Sequence, residues 1–233
     1  MGEISFIWFD LGYTLVYLER EAFYQKILKQ LDIERSIEEI EKAYHLADKL
    51  FMREYQGVLS KGKDFYFPWY MGVLNHYLGF VMNYKEIETA FEKVDPDIFP
   101  YWKPFHCTKP TLEQLKAANL GIGLISNWDH TARRVLEDTQ LISYFDEIII
   151  SSEVGVEKPN SAIFDMALKK KNLLGSKCLY VGDNYYDDVI GSRKVGMHSL
   201  VINRFGSLGV EEITHPVIRN VSEIFNYIVL EQE

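Results

Sequence analysis

The apolar positions along the chain fall into two textures. Residues 4–9 form a short apolar run that ends at Asp10 and a turn at Gly12, the pattern of a strand buried on both faces. Between about 17 and 106 the apolar residues recur at helical spacing, which predicts helices over 19–31, 36–55, 64–80 and 84–94. The second of these opens with Ser36-Ile-Glu-Glu39, where a serine hydroxyl can accept from the third helical amide and the glutamate can reach back. Residues 57–63 and 95–104 read as breaks. From Cys107 onward short apolar runs alternate with helical segments. Strands are predicted at 120–126, 147–150, 178–182 and 199–202, and helices at 111–118, 131–141, 161–171, 187–195 and 222–231. Strands separated by helices of this length imply a parallel sheet with right-handed crossovers. The expected fold is therefore α/β: a Rossmann-like parallel core, residues 1–16 and 107–233, flanked by helices, with an all-helical insertion, 17–106, directly after its first strand.

Composition narrows the function classes. The 233 residues carry a net charge of −9, which argues against a partner that must be neutralised, either nucleic acid or an anionic membrane surface. Two cysteines, Cys107 and Cys178, are too few for a disulfide framework or a zinc site. Buried free thiols and a reducing compartment are expected. The N-terminal run lacks a basic flank and is too short for a signal peptide core, and no stretch of about 18 apolar residues could span a membrane. A cytoplasmic location follows as the expectation. Residues 17–106 hold 19 of the 33 aromatic residues. These large side chains either fill a small helical core, or some of Phe65, Tyr66, Phe67, Trp69 and Tyr70 face a substrate cleft. Gly121-Ile-Gly123 lies inside a strand, which excludes a nucleotide fingerprint. Lys169-Lys170-Lys171 falls at a helix C-terminus, where it complements the dipole.

In a parallel sheet, ligands gather beyond the carboxyl ends of the strands. Asp10 follows the first strand, and Ser126 and Asn127 the second. A loop reaching Lys158-Pro159 follows the third, and Gly182, Asp183, Asn184, Asp187 and Asp188 follow the fourth. Carboxylates suit a hard cation, a hydroxyl and an amine suit phosphate oxygens, and one carboxylate is available to attack. The set points to magnesium-assisted phosphoryl chemistry.

Four segments, in this order, resemble the motifs of the haloacid dehalogenase-like hydrolase superfamily: Phe9-Asp-Leu-Gly-Tyr-Thr-Leu15, Leu124-Ile-Ser-Asn127, Glu157-Lys-Pro-Asn160 and Val181-Gly-Asp-Asn-Tyr-Tyr-Asp-Asp-Val-Ile-Gly191. The helical insertion is similar to the type 1 cap of subfamily I. The resemblance implies Asp10 as nucleophile with Lys158 beside it, and Ser126, Asn127 and Lys158 as phosphate-binding groups. It implies Mg²⁺ held by Asp10, the Gly12 carbonyl and Asp183, with Asp188 in support. Spacing does not separate Asp187 from Asp188; the resemblance favours Asp188, leaving Asp187 as an outer acid.

One position departs from the family. Its phosphatases carry an acid/base aspartate two residues after the nucleophile, and here Gly12 stands there. The family's aspartate at this place implies a backbone that admits an L-residue, with a positive φ at Gly12 ahead of Tyr13 as the alternative. General acid–base catalysis contributes roughly 10²–10⁴-fold, so its loss weakens a phosphatase without abolishing it. The resemblance therefore implies a magnesium-dependent phosphatase of a small phosphorylated metabolite. Its alternatives are a non-catalytic protein binding a phospho-ligand or partner, or a hydrolase of a C–halogen or C–P bond. The last would need a Schiff-base lysine from the insertion, where Lys49, Lys61 and Lys63 stand.

Overall fold

The computed structural model describes residues 4–61, 63–94 and 100–228. The chain folds into two units, Met1–Tyr17 with Lys103–Glu233, and Leu18–Trp102.

The first unit is built on a six-stranded sheet. Its strands are β1 (Phe6–Phe9), β4 (Gly121–Ser126), β5 (Glu147–Ile150), β6 (Cys178–Gly182), β7 (His198–Ile202) and β8 (Val217–Ile218), in the order β5-β4-β1-β6-β7-β8. Every neighbouring pair is parallel. The remaining two strands, β2 (Val16–Leu18) and β3 (Trp102–Pro104), pair as a separate two-stranded sheet. Helices α5 (Thr108–Ala117), α6 (Ala132–Asp138), α7 (Ser151–Val154), α8 (Ser161–Lys171) and α9 (Ile190–Arg193) lie between the strands in sequence. The order reverses direction at β1, so consecutive connections leave on opposite sides and open a crevice between β1 and β6. This switch point is where doubly wound folds bind ligands.

Short apolar runs become central strands because the sheet buries both of their faces. All four residues of β1 are buried. Gly121 and Gly123 are needed beside them. A Cβ at Gly121 would lie 2.2 Å from the Phe6 ring, and one at Gly123 would lie 2.3 Å from the Trp8 ring. The glycines thus let two large rings lie across β4. On that face Phe6, Trp8, Ile125, Ile149, Phe164 and Tyr180 form part of one buried cluster. Burial of each large side chain there contributes on the order of 2–3 kcal/mol.

The second unit holds α1 (Arg20–Gln30), α2 (Ile37–Glu54), α3 (Lys63–Tyr77) and α4 (Tyr84–Glu92). The capping box at Ser36 forms: its hydroxyl accepts from the Glu39 amide at 3.1 Å, and the Glu39 carboxylate accepts from the Ser36 amide at 2.7 Å. The core of the unit joins Phe23, Tyr24, Tyr44, Phe51, Tyr70 and Leu74. Of the five aromatics in α3 named above, Tyr70 is buried, and Tyr66 and Phe67 pack against the core. Phe65 and Trp69 are exposed.

Helix 187–195 is absent in the expected form. A π-helical turn, Tyr185–Val189, comes first, and α9 continues from Ile190. The Asn184 side chain accepts from the amides of Tyr186 and Asp187 and sets a wider opening turn than an α-helix would have. The C-terminal helix is likewise shorter, a 3₁₀ segment over Val221–Asn226; residues 229–231 of that expectation lie outside the described residues. The expected break at 95–104 also falls partly outside them, and its end forms β3. Both cysteines are free thiols, but only Cys178 is buried, and Cys107 is partly exposed. No described helix is long and apolar enough to cross a membrane.

Candidate active site

The site is assembled at the carboxyl edge of the sheet, within the first unit. Asp10 follows β1, and its amide donates to the Val181 carbonyl of β6 at 2.9 Å, which carries the ladder one residue further. Ser126 ends β4, buried, and its hydroxyl donates to Asp10 Oδ1 at 2.9 Å. Lys158 arrives from the loop after α7, and its ammonium donates to the same Oδ1 at 2.8 Å. It also donates to Asp188 Oδ1 at 2.6 Å and to the Tyr180 hydroxyl at 3.0 Å. Both bonds to Asp10 land on Oδ1.

Asp10, Asp183 and Asp188 each place a carboxylate oxygen within 4.8 Å of the others. Asp187 stands outside this group. Its Oδ2 accepts from the Asn184 side chain at 2.7 Å. The π-helical turn produces this separation of two adjacent acids by swinging Asp188 back over the sheet edge. Asp188 Oδ2 accepts there from the Asn184 amide at 3.0 Å. Gly182 makes room for it, since a Cβ at that position would lie 2.1 Å from Asp188 Oδ2.

Asn127, expected to bind phosphate, has a different task for its side chain. It donates to the Lys158 carbonyl at 2.9 Å and accepts from the Lys158 amide at 2.8 Å. This two-point clamp fixes the loop that delivers the lysine. Gly12 is half-buried and bridges to Val16. Of the two alternatives for the turn, positive φ falls on Tyr13, at 52°, and not on Gly12. The Tyr13 amide donates to the Val16 carbonyl at 2.7 Å, and the Val16 amide returns to Leu11 at 3.1 Å. Those bonds close the turn around Tyr13 and leave Gly12 in a conformation open to any L-residue.

Burial pushes the Lys158 ammonium down, but the charges of Asp10 and Asp188 outweigh it and hold its pKa well above the usual lysine range. Burial raises the Asp188 carboxyl, with Lys158 opposing. Burial, and then the charge of Asp188, push Asp187 up to about 7. The cause is common to all: charges are crowded into a site with little water.

Tyr180 is the contributor that reading strand ends overlooks, and Asn184 is one whose task that reading leaves unassigned. Tyr180 lies in the middle of β6, where an aromatic reads only as core. Asn184 sits next to more conspicuous acids.

Of the lysines in the helical unit, Lys49 is buried in α2 with its ammonium 3.6 Å from Met52 Sδ. Lys61 is exposed. The Lys63 side chain lies outside the described residues.

The chain matches the haloacid dehalogenase-like hydrolase family over residues 7–202 and belongs to that family. It is 27% identical over its whole length to a protein of Pyrococcus furiosus named glyceraldehyde 3-phosphate phosphatase, 95% of which is covered. It is also 32% identical over 138 residues, 57% of this chain and 60% of the relative, to a protein of Pseudomonas fluorescens named (S)-2-haloacid dehalogenase. The chain spans about half the length, or somewhat less, of several other curated relatives it matches. Among solved structures, a HAD phosphatase from Thermococcus onnurineus superposes with a TM-score of 0.61 at 23% identity, covering 99% of this chain and 100% of that one. That likeness is one of fold.

Proposed function

We propose that this hydrolase is a magnesium-dependent phosphatase of a small phosphorylated metabolite, working through an aspartyl phosphate on Asp10. One observation carries the reading. Three carboxylates converge within 4.8 Å, among them the nucleophile Asp10, whose Oδ1 is fastened by Ser126 and Lys158. Lys158 offsets one unit of that negative charge, and a hard cation with oxygen ligands fits the remainder. Asp10, Asp183, Asp188 and the Gly12 carbonyl would hold Mg²⁺, which supplies charge neutralisation for the transferring phosphoryl group.

The protein's own residues do the rest. Asp10 Oδ2 attacks phosphorus in line, the P–O bond to the alcohol breaks, and an acyl phosphate forms. Water then cleaves the acyl phosphate, releasing inorganic phosphate and regenerating the Asp10 carboxylate. Ser126 and Lys158 hold Oδ1 so that Oδ2 faces the substrate, and each can turn its Oδ1 donor to a phosphoryl oxygen as the charge on Asp10 is consumed. Gly12 supplies no proton to the leaving alkoxide, so substrates with good leaving groups are favoured. We read the helical unit, residues 17–106, as the cap that selects the substrate. Two free thiols fit a cytoplasmic setting, and the net charge of −9 fits no nucleic-acid or membrane partner.

Gly12 also supports a second reading, hydrolysis of a C–halogen bond, because a departing halide needs no proton. The assay that decides is a panel of phosphorylated metabolites, glyceraldehyde 3-phosphate included, with p-nitrophenyl phosphate and 2-chloropropionate, each with and without magnesium. Magnesium-dependent phosphate release is expected. Chloride release without phosphate release would overturn the phosphatase in favour of the dehalogenase. Neither activity, in a protein that still melts cooperatively, would leave a binding protein.

A further inference from the structure

We infer that Tyr180 is a positioning residue that locks the Lys158 ammonium in place by occupying its third donor. An ammonium has three N–H donors and no acceptor. In this site all three have partners: Asp10 Oδ1 at 2.8 Å, Asp188 Oδ1 at 2.6 Å and the Tyr180 hydroxyl at 3.0 Å. The hydroxyl has a single hydrogen, and it donates that to the Ile125 carbonyl at 2.7 Å. The oxygen can therefore only accept from Lys158, and the direction of the whole chain of bonds is fixed.

The tyrosine is itself held. It is fully buried, and its ring meets Phe164 edge-on at 5.3 Å. Tyr180 thus ties the ammonium to β6, its own strand, and to β4, through the carbonyl of the residue before Ser126. The two side chains that grip Asp10 Oδ1 are referred to one rigid piece of sheet. Without the hydroxyl, an ammonium with one unused donor in a site with little water would turn toward whichever carboxylate offers the better second bond. The orientation of Asp10 Oδ2 would loosen with it. Of the three bonds, the one to Tyr180 is to a neutral acceptor and is the longest, so it is also the weakest.

The kinetic arm of the test rests on the phosphatase reading; the spectroscopic arm does not. Tyr180→Phe removes one oxygen and keeps the ring. On p-nitrophenyl phosphate with magnesium, kcat is expected to fall about tenfold while KM changes less than twofold. A merely structural tyrosine would lower the melting temperature and leave kcat per folded molecule unchanged, which would overturn the assignment. Independently, an ammonium held by three bonds exchanges its protons slowly. The wild type should show a lysine ¹H–¹⁵N ammonium signal, assigned to Lys158 by its loss in Lys158→Met. Tyr180→Phe should broaden or abolish it. No such signal in the wild type, or one that survives in Tyr180→Phe, would refute the lock whatever the substrate proves to be. A wild type with the signal but without phosphate release would sink the phosphatase reading alone.

Discussion

The two units of this chain both bury charge, and they do so in different ways. In the α/β unit Lys158 sits among Asp10, Asp188 and Tyr180, each presented from a strand end, a strand or the turn after one. In the helical unit Arg20, at the start of α1, pairs with Asp48 of α2 through both oxygens. Tyr70 of α3 donates to Asp48 Oδ1 at 2.5 Å, and the guanidinium lies 4.2 Å from the centre of the Tyr44 ring. The first cluster sets Asp10 and Asp188 on one ammonium, with an Asp183 oxygen within 4.8 Å of both, so its acids outnumber its ammonium. The second joins one guanidinium to Asp48, with Glu21 also 3.7 Å from Arg20, and carries hydrogen bonds on both Arg20 and Asp48. An excess of like charge costs stability and makes sense where a ligand of opposite charge is to be bound. An ion pair between two helices serves to fix their register. Substitutions in the first cluster should therefore act mainly on turnover, and those in the second mainly on the melt.

The largest effect expected is at Asp10. Asp10→Asn keeps the shape and removes the attacking charge, so turnover on the best substrate should fall by on the order of 10³-fold or more. The melting temperature should hold or rise, since one of three crowded carboxylates is gone. Wild-type turnover in purified Asp10→Asn would end the covalent mechanism.

Asp48→Ala supplies the opposite case. The Asp48 side chain is only 13% exposed, and its loss leaves Arg20 with Glu21, 3.7 Å away, as an ion-pair partner, at a cost of about 2 kcal/mol. Urea unfolding measures this directly. A loss below about 1 kcal/mol would show that water solvates Arg20 once Asp48 is removed, and the contrast between the clusters would shrink accordingly.

Gly182→Ala probes how tightly the acidic edge is packed. The new methyl group would start 2.1 Å from Asp188 Oδ2, so the π-helical turn must shift. About 2 kcal/mol of stability should be lost, together with most of the rise in melting temperature that magnesium brings by mass action. A variant that still gained the full magnesium stabilisation would remove Asp188 from the cation's surroundings.

The smallest effect concerns Gly12, and it should be a gain. The backbone there lies outside the left-handed region, so Gly12→Asp meets no strain in φ. Alkyl phosphate hydrolysis should rise about tenfold, toward the lower end of what a proton donor contributes. Aryl phosphates should gain less, because their leaving groups depart more easily unprotonated. Equal slowing of both substrates, with a normal melt, would show that the turn at Gly12 and Tyr13 serves some other arrangement.

Much of the α/β unit is legible in the order of residues. β5 and β6 fall at the expected residues, and β1, β4 and β7 start within two residues of expectation. Asp10, Ser126, Lys158, Asp183 and Asp188 all stand out as residues that follow strands. A strand announces itself in four or five consecutive residues, and the residue after it is placed by the sheet, so local pattern suffices. Ser36 is legible for the same reason, because a cap is a contact across three residues.

What the sequence determined by itself, then, is whatever depends on neighbours along the chain: strand positions, the capping box, the four ordered segments and the missing acid at Gly12. Only the tertiary structure decided the rest. It chose Asp188 over Asp187 by a π-helical turn that Asn184 opens and Gly182 makes room for. It placed the left-handed residue at Tyr13 and not at Gly12, and turned the Asn127 amide onto the Lys158 backbone. It also brought Tyr180 beneath Lys158 and Arg20 onto Asp48, pairs separated by 22 and 28 residues. Each of these outcomes depends on where a distant segment lies when the layers pack. The energies that set them, steric exclusion at a missing Cβ and the cost of an unpaired buried donor, act only once that packing exists.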